Sequence, residues 1–481
     1  MVDTLQVSAT IFLTAHWLIV VGLSLRVIAR RLPVGVSLAW LAVVYAVPFA
    51  GAGAYLFFGG KRLDRRRITR HAMVQAIVDK AQSQLRHNAA AAPTAACAAQ
   101  PLYRQSLGLL GIPALNGNSM RLLCEFNEVF DSLASDIAAA QESCRLAFYI
   151  WHDGGRADDI VEALLRAQNR GVHCRILVDA VGSKVFLSKD NVRKLRTSGV
   201  EVVKALPPSF RRRADLRNHR KIVVIDDRVA YTGSQNLVDP RFFKQDAGVG
   251  EWVDAVVRLE GPAVALLTNI FEADWSVETG ATFEIPIPRS GSEQTNGSGG
   301  DLVQVVPSGP VPYPDAIRQL LLTTIYSAHQ TLTLTTPYFV PDEAIQTALL
   351  SAAARGVEVS IVIPASNDSF LVRHASAANF EDLLKAGVRI ALFQNGLLHT
   401  KSMVVDGSVT IFGSVNLDMR SFWLNFEVSL FVYGASFAAA IIELQQSYLV
   451  QSTLMDAKTW RQRPVRRRFL ENFARLAGPL L

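Results

Sequence analysis

The sequence predicts an α/β protein: two tandem α/β domains around a pseudo-two-fold active site, preceded by a two-helix transmembrane hairpin. Three observations carry this prediction. The first sixty residues contain two long uncharged stretches. The rest of the chain runs twice through the same order of strand, helix, strand, helix, strand. Each repeat then ends on the same spaced set of His, Lys, Asp, Ser and Asn residues. Strands alternating with helical runs are the signature of a layered α/β fold.

Residues 7–25 and 34–58 carry no fixed charge, and a membrane span needs about 20 apolar residues. Arg26, Arg30, Arg31 and Pro33 form a short basic turn between them, where a signal peptide would show a small-residue cleavage site. Trp17, Trp40 and Tyr55 suit membrane interfaces. His16 is expected to face a neighbouring helix. A hairpin leaves both its ends on one side, and Lys61, Arg62, Arg65, Arg66, Arg67 and Arg70 follow it, so the positive-inside rule puts the main body in the cytoplasm.

Composition agrees. Of 481 residues, 50% are hydrophobic and 19% charged, against about 25% charged in ordinary soluble chains. This argues against a purely soluble enzyme and against disorder over most of the chain. Lys and Arg number 49 against 42 Asp and Glu, a net +7 that suits an anionic partner. Cys97, Cys124, Cys144 and Cys174 show no CxxC spacing, so neither a disulfide framework nor a structural zinc site is expected.

Residues 61–120 look like a basic and helical linker, 121–283 the first α/β domain and 302–460 the second. Between the domains, 284–301 is rich in Gly, Ser and Pro and reads as flexible. The first half has strand-like residues 146–151, a helical run over 160–168, Arg170-Gly171-Val172 and strand-like 174–178. The second half repeats this with 332–339, 345–353, Arg355-Gly356-Val357 and 359–363.

The chemistry lies at the end of each repeat. His219, Lys221, Asp226, Ser234 and Asn236 in the first half match His399, Lys401, Asp406, Ser414 and Asn416 in the second, at identical offsets. In a strand, positions i and i+2 share a face, so each His projects with its Lys. The apolar residues that follow bury the strand, and Asp226-Asp227 and Asp406-Gly407 are turn residues. Gly-Ser-x-Asn then returns polar groups to the end where the histidines lie. Two His, two Lys and two Asn meeting across a two-fold axis make a clamp for phosphate. The lysines supply point charges, and the asparagine amides and the Ser234 and Ser414 hydroxyls add donors. A neutral imidazole can attack phosphorus, and a protonated one can supply a proton to the leaving oxygen. Asp226 and Asp406 count with the catalytic motif, although holding the turn is their expected part. Each histidine needs a partner on its other ring nitrogen. Glu427 in the second half and Asp254 in the first are the choices, with Glu251 the rival of Asp254. No HExxH, Walker loop or acidic metal cluster is present in the sequence, so no metal or other cofactor is expected.

The paired His-Lys-Asp motifs resemble those of the phospholipase D superfamily. The N-terminal hairpin, 149–151, 239–246, 336–341 and 416–421 extend the resemblance to the bacterial cardiolipin synthase family over nearly the whole chain. The resemblance implies a multi-pass protein of the bacterial cytoplasmic (inner) membrane. It also implies a two-step transfer between two phosphatidylglycerol molecules, through a phosphatidyl-histidine intermediate and without nucleotide or metal. In that scheme His219 is the nucleophile and His399 the general acid and base. A phospholipase D-type hydrolase and a phosphatidylserine synthase share the same chemistry. A nucleic-acid enzyme fits poorly with two membrane spans.

Three basic stretches remain: 61–70, Arg211 to Arg213, and 461–481. The last interleaves arginines with Val465, Phe469, Leu470, Phe473 and Leu476 and reads as an amphipathic helix lying on anionic membrane lipid.

Overall fold

The computed structural model describes residues 2–30, 34–59, 65–87, 99–208, 213, 215–282 and 300–476. Arg31, Pro33, Lys61, Arg62, Cys97, Arg211, Arg212, nearly all of the 284–301 linker and 477–481 lie outside the described residues. The chain forms two compact units, one of residues 1–68 with 208–216, the other of 69–207 with 217–481.

The first unit is helical. Val2–Ala29 is one helix, and within it 10–29 is, among the described residues, the one stretch in a helix long and apolar enough to cross a membrane. Its Ile11, Phe12, Leu18, Leu25 and Ile28 side chains are exposed, which suits lipid rather than water. The expected second span over 34–58 is broken into Val34–Ala46 and Pro48–Phe58. Pro48 explains the break. It donates no backbone hydrogen bond and forces the preceding residue out of the helical region, and Val47 sits at φ −141°, ψ 72°. Phe12 meets Phe49 at 5.0 Å and Trp40 meets Tyr55 at 5.3 Å, so both shorter helices are fastened by aromatic contacts.

The second unit is α/β, as the repeat predicted, but its two halves share a single sheet. The first half contributes, in spatial order, Glu201–Ala205, His173–Asp179, Ser143–Phe148, Ile222–Ile225, Val229–Gly233, Val256–Glu260 and Leu115–Leu123. The second continues outward with Asp301–Ser308, Asn425–Tyr433, Val409–Gly413, Ser402–Val405, Thr331–Thr335, Glu358–Pro364 and Arg389–Phe393, with Ser452–Leu454 at the edge. The order of one half mirrors that of the other. The seam is the antiparallel contact of Leu115–Leu123 with Asp301–Ser308, where Leu115 opposes Val303 and Asn118 opposes Asp301. Two equivalent strands paired antiparallel generate a two-fold relation by themselves.

The seam moves one expected boundary. Residues 99–120 belong to the core: the helix Ala99–Leu110 buries Leu102, Tyr103 and Leu110, and the first strand starts at Leu115. Amphipathic spacing in 99–110 was the available signal.

The glycines of the two Gly-Ser-x-Asn segments are set by backbone proximity. A Cβ at Gly413 would lie 2.3 Å from the Val428 oxygen and 2.8 Å from the Ser429 Cα; at Gly233 the matching distances are 2.4 Å to Ala255 and 2.9 Å to Val256. Gly413→Ala should therefore cost about 1–3 kcal/mol of stability, read as a lower thermal unfolding midpoint. An unchanged midpoint would show that the strands can separate without cost.

Candidate active site

Each motif histidine lies just beyond a two-residue strand that pairs with the opposite half. Arg217–Asn218 runs parallel to Asn425–Phe426, and the His219 amide donates to the Phe426 oxygen at 2.8 Å. Leu397–Leu398 runs parallel to Trp252–Val253, and the His399 amide donates to the Val253 oxygen at 2.7 Å. One residue further along each pairing, histidine meets carboxylate. His219 Nδ1 lies 2.8 Å from Glu427 Oε2, and His399 Nδ1 lies 2.6 Å from Asp254 Oδ1. The imidazoles are thus partnered across the halves, each by the other repeat's carboxylate. Of the two candidates in the first half, Asp254 makes the contact, while Glu251 accepts the Leu397 amide with its backbone oxygen.

The dyads are buried. Glu427 is 0% exposed and His399 2%. Burial drives both imidazoles down, His219 and His399 each to about 4. Burial pushes the Glu427 and Asp254 carboxyls up, but imidazole, lysine and serine partners outweigh it and leave both below the ordinary carboxylate range. An ionised carboxylate only accepts, so Nδ1 carries the proton and the Nε2 lone pair is free on each ring.

Lys221 and Lys401 are also buried, and each donates one N–H to the backbone oxygen of its own histidine, at 2.7 and 2.5 Å. Two N–H groups per ammonium remain for an anion. Burial lowers Lys221 to about 8 and Lys401 to about 7. Lys401 also depresses His219, and Lys221 depresses His399, so the two motifs form one electrostatic unit. Aromatic rings wall each histidine: Tyr149 lies 4.8 Å from His219 and Trp252 4.4 Å from His399. Asn236 Nδ2 and Trp252 Nε1 are buried N–H groups with no acceptor, and Asn416 is buried nearby in sequence with Oδ1 unpartnered. Unmatched buried polar groups are costly in a finished core; here they suit a polar ligand.

A family model described as the phospholipase D-like domain of cardiolipin synthase matches residues 133–275 and 321–448. The chain belongs to the cardiolipin synthase family of phospholipase D-like proteins. Cardiolipin synthase A of Yersinia pseudotuberculosis serotype O:1b (strain IP 31758) is 42% identical over 97% of this chain and 97% of its own. Cardiolipin synthase A of Yersinia pestis matches with the same identity and coverage. The crystal structure of phosphatidylserine synthase from Haemophilus influenzae Rd KW20 aligns with a TM-score of 0.61 at 16% identity, covering 79% of this chain and 99% of that one, which shows a shared fold.

Within this family member the structure sorts two sets of residues. Asp226 and Asp406, grouped with the catalytic motif but expected to hold turns, lie at the far end of their strands, about seven residues and ~20 Å of extended chain from the histidines. Asp226 accepts the amides of Gln141, Glu142 and Ser143, each at 2.8 Å. Asp406 accepts those of His329, Gln330 and Thr331 at 2.9, 2.8 and 2.9 Å. Both adopt positive φ, 52° and 48°, which Asp tolerates. The correction concerns the second set, Ser234 and Ser414, expected as phosphate donors. Their hydroxyls donate to Asp254 and Glu427, each at 2.5 Å. A hydroxyl has one proton, so these serines hold the carboxylates.

The motif reading also missed Arg220 and Asp274. Arg220 Nη1 pairs with Asp274 Oδ1 at 2.5 Å and its Nε donates to the Glu427 oxygen at 3.0 Å, while Asn218 Nδ2 donates to Asp274 Oδ2 at 3.0 Å. This buried pair fixes the chain on both sides of His219. Strand alternation in the sequence puts Arg220 on the face opposite His219, but nothing marks Asp274 as its partner.

Asp226→Ala strands three amides. It should lower the unfolding free energy by about 1–3 kcal/mol and leave the pH dependence of turnover unmoved. A shifted pH profile with unchanged stability would return Asp226 to the catalytic set.

Proposed function

We propose that this protein is a membrane-bound phosphatidyltransferase that condenses two phosphatidylglycerol molecules into cardiolipin and glycerol. The observation that carries the reading is the pair of crossed, buried His-carboxylate dyads, each with a buried lysine bonded to its histidine's backbone, in a chain 42% identical to cardiolipin synthase A over nearly its full length. The 10–29 helix associates it with the membrane. We place the body on the cytoplasmic side, with the kinked 34–58 segment as the second crossing of a bacterial inner membrane.

In this reading the phosphodiester of one phosphatidylglycerol binds between Lys221 and Lys401, and the amides of Asn236 and Asn416 add donors. Its negative charge offsets the lysines and favours an imidazolium at His399. His219 Nε2 attacks phosphorus; the bond from phosphorus to the glycerol oxygen breaks, and that oxygen takes the His399 proton. Glu427 stabilises the positive ring of the phosphatidyl-His219 intermediate. The terminal hydroxyl of a second phosphatidylglycerol then attacks phosphorus. His399 Nε2 accepts its proton, and the bond between His219 and phosphorus breaks.

Purified protein in vesicles, given labelled phosphatidylglycerol as sole lipid substrate, should yield cardiolipin and free glycerol in the presence of chelator. His219→Ala and His399→Ala should each lose at least about a thousandfold in rate. Phosphatidic acid as product would make water the acceptor and the protein a hydrolase. Dependence on a cytidine-activated lipid and serine would make it a phosphatidylserine synthase.

The pH profile follows from the buried groups. The free-enzyme profile, read in kcat/KM, should rise as pH passes about 4, where His219 becomes neutral, and fall as it passes about 7 to 8, where the lysines lose their charge. Lys401→Arg keeps its charge, so the alkaline limb should move up even as the rate drops. An unmoved limb would assign it to another group.

A further inference from the structure

The helix Val465–Leu476 packs on the α/β unit with its apolar side facing out. Residues along a helix advance by about 100° around its axis. Glu471 and Ala474 point inward, each 1% exposed. Glu471 accepts from Arg463 Nε at 2.7 Å and Arg467 Nε at 3.0 Å, and Arg463 also pairs with Glu381 at 3.0 Å. Ala474 packs with Val340, Val372 and Ala375. These contacts fix the rotation of the helix about its axis. Val465, Phe469, Phe473 and Leu476 are left on the opposite side, 80%, 72%, 63% and 76% exposed. Phe370, which begins the helix Phe370–Lys385 on which this one packs, is 67% exposed as well.

We propose that this face is a membrane-contact surface separate from the N-terminal helices, seated on an anionic bilayer. The charge pattern selects that occupant. Arg466 borders the apolar stripe on one side, and Arg468 and Arg475 border it on the other. The one carboxylate of the helix is turned inward and neutralised by two arginines. Apolar residues entering the acyl boundary with guanidinium groups at phosphate depth are the pattern of an interfacial helix. The surface also leads toward the site. Asp368, two residues before Phe370, accepts the Tyr338 hydroxyl at 3.0 Å and pairs with Lys244 at 3.2 Å. The Tyr338 hydroxyl is raised well above its ordinary value, by burial first and then by its neighbours, Tyr149 at the His219 ring among them. Seating this face would hold the Tyr338–Asp368–Lys244 contacts near the lipid headgroups, a consequence that rests on the phosphatidyltransferase reading. The contact itself does not.

The test uses the full chain reconstituted in vesicles of equal parts phosphatidylglycerol and phosphatidylcholine. A photoreactive benzoylphenylalanine replaces Phe473 in one sample and Arg193, whose side chain is 73% exposed, in another. After irradiation the C-terminal peptide should carry phospholipid adducts several-fold above those at the Arg193 position, and the yield should drop in vesicles of phosphatidylcholine alone. This readout needs no turnover, so it stands or falls independently of the cardiolipin reading. Equal adducts at both positions, a yield indifferent to anionic lipid, or a crosslink to a second copy of the chain would overturn the proposal. The double variant Phe469→Ser, Phe473→Ser should lose turnover several-fold in vesicles and keep it in detergent micelles. Equal losses in both would count against the surface.

Discussion

Two parallel pairings, each only two residues long, hold the site together. Arg217–Asn218 against Asn425–Phe426, and Leu397–Leu398 against Trp252–Val253, lock each histidine segment to the opposite repeat. The side-chain contacts between His219 and Glu427 and between His399 and Asp254 are the next register positions of those pairings. A slip of one residue would turn a side chain to the other face, so backbone register and dyad geometry form a single constraint. Neither half contains a complete dyad. The active site therefore exists only once both repeats have folded and joined.

That requirement explains the shared sheet. If the halves moved as separate bodies, the exchanged strands would be strained at every excursion. The antiparallel seam between Leu115–Leu123 and Asp301–Ser308 makes the repeats one rigid layer, with apolar core residues from both halves packed in a common cluster. The motif aspartates serve the same rigidity at the far ends of their strands, where Asp226 and Asp406 fasten the turns to the starts of neighbouring strands. Conserving geometry at one end of a strand depends on fixing the other.

Burial gives the enclosed site its chemistry. It lowers the imidazoles and the ammonium groups together, because both carry positive charge and face each other. The buried rings are neutral at ordinary pH, with their Nε2 lone pairs unused by the carboxylates. An anionic phosphodiester reverses that balance locally. The same group that presents the substrate thereby changes the proton affinity of the residues that act on it.

The sequence by itself determined the α/β class, the repeat, the apolar N-terminus and the residue types of the site, because each is written in local periodicity or in motif spacing. His219, Lys221, His399 and Lys401 could be paired from strand alternation alone. Pro48 marks in the sequence the point where the second uncharged run breaks. Only the tertiary structure decided which carboxylate meets which histidine, that Ser234 and Ser414 hold carboxylates, and that Arg220 pairs with Asp274. Those contacts join residues 13 to 208 positions apart. Chain-local patterns specify which face a residue occupies within its own strand. The partner on that face is set by how the two repeats dock across the seam, and no periodicity within either repeat encodes that docking.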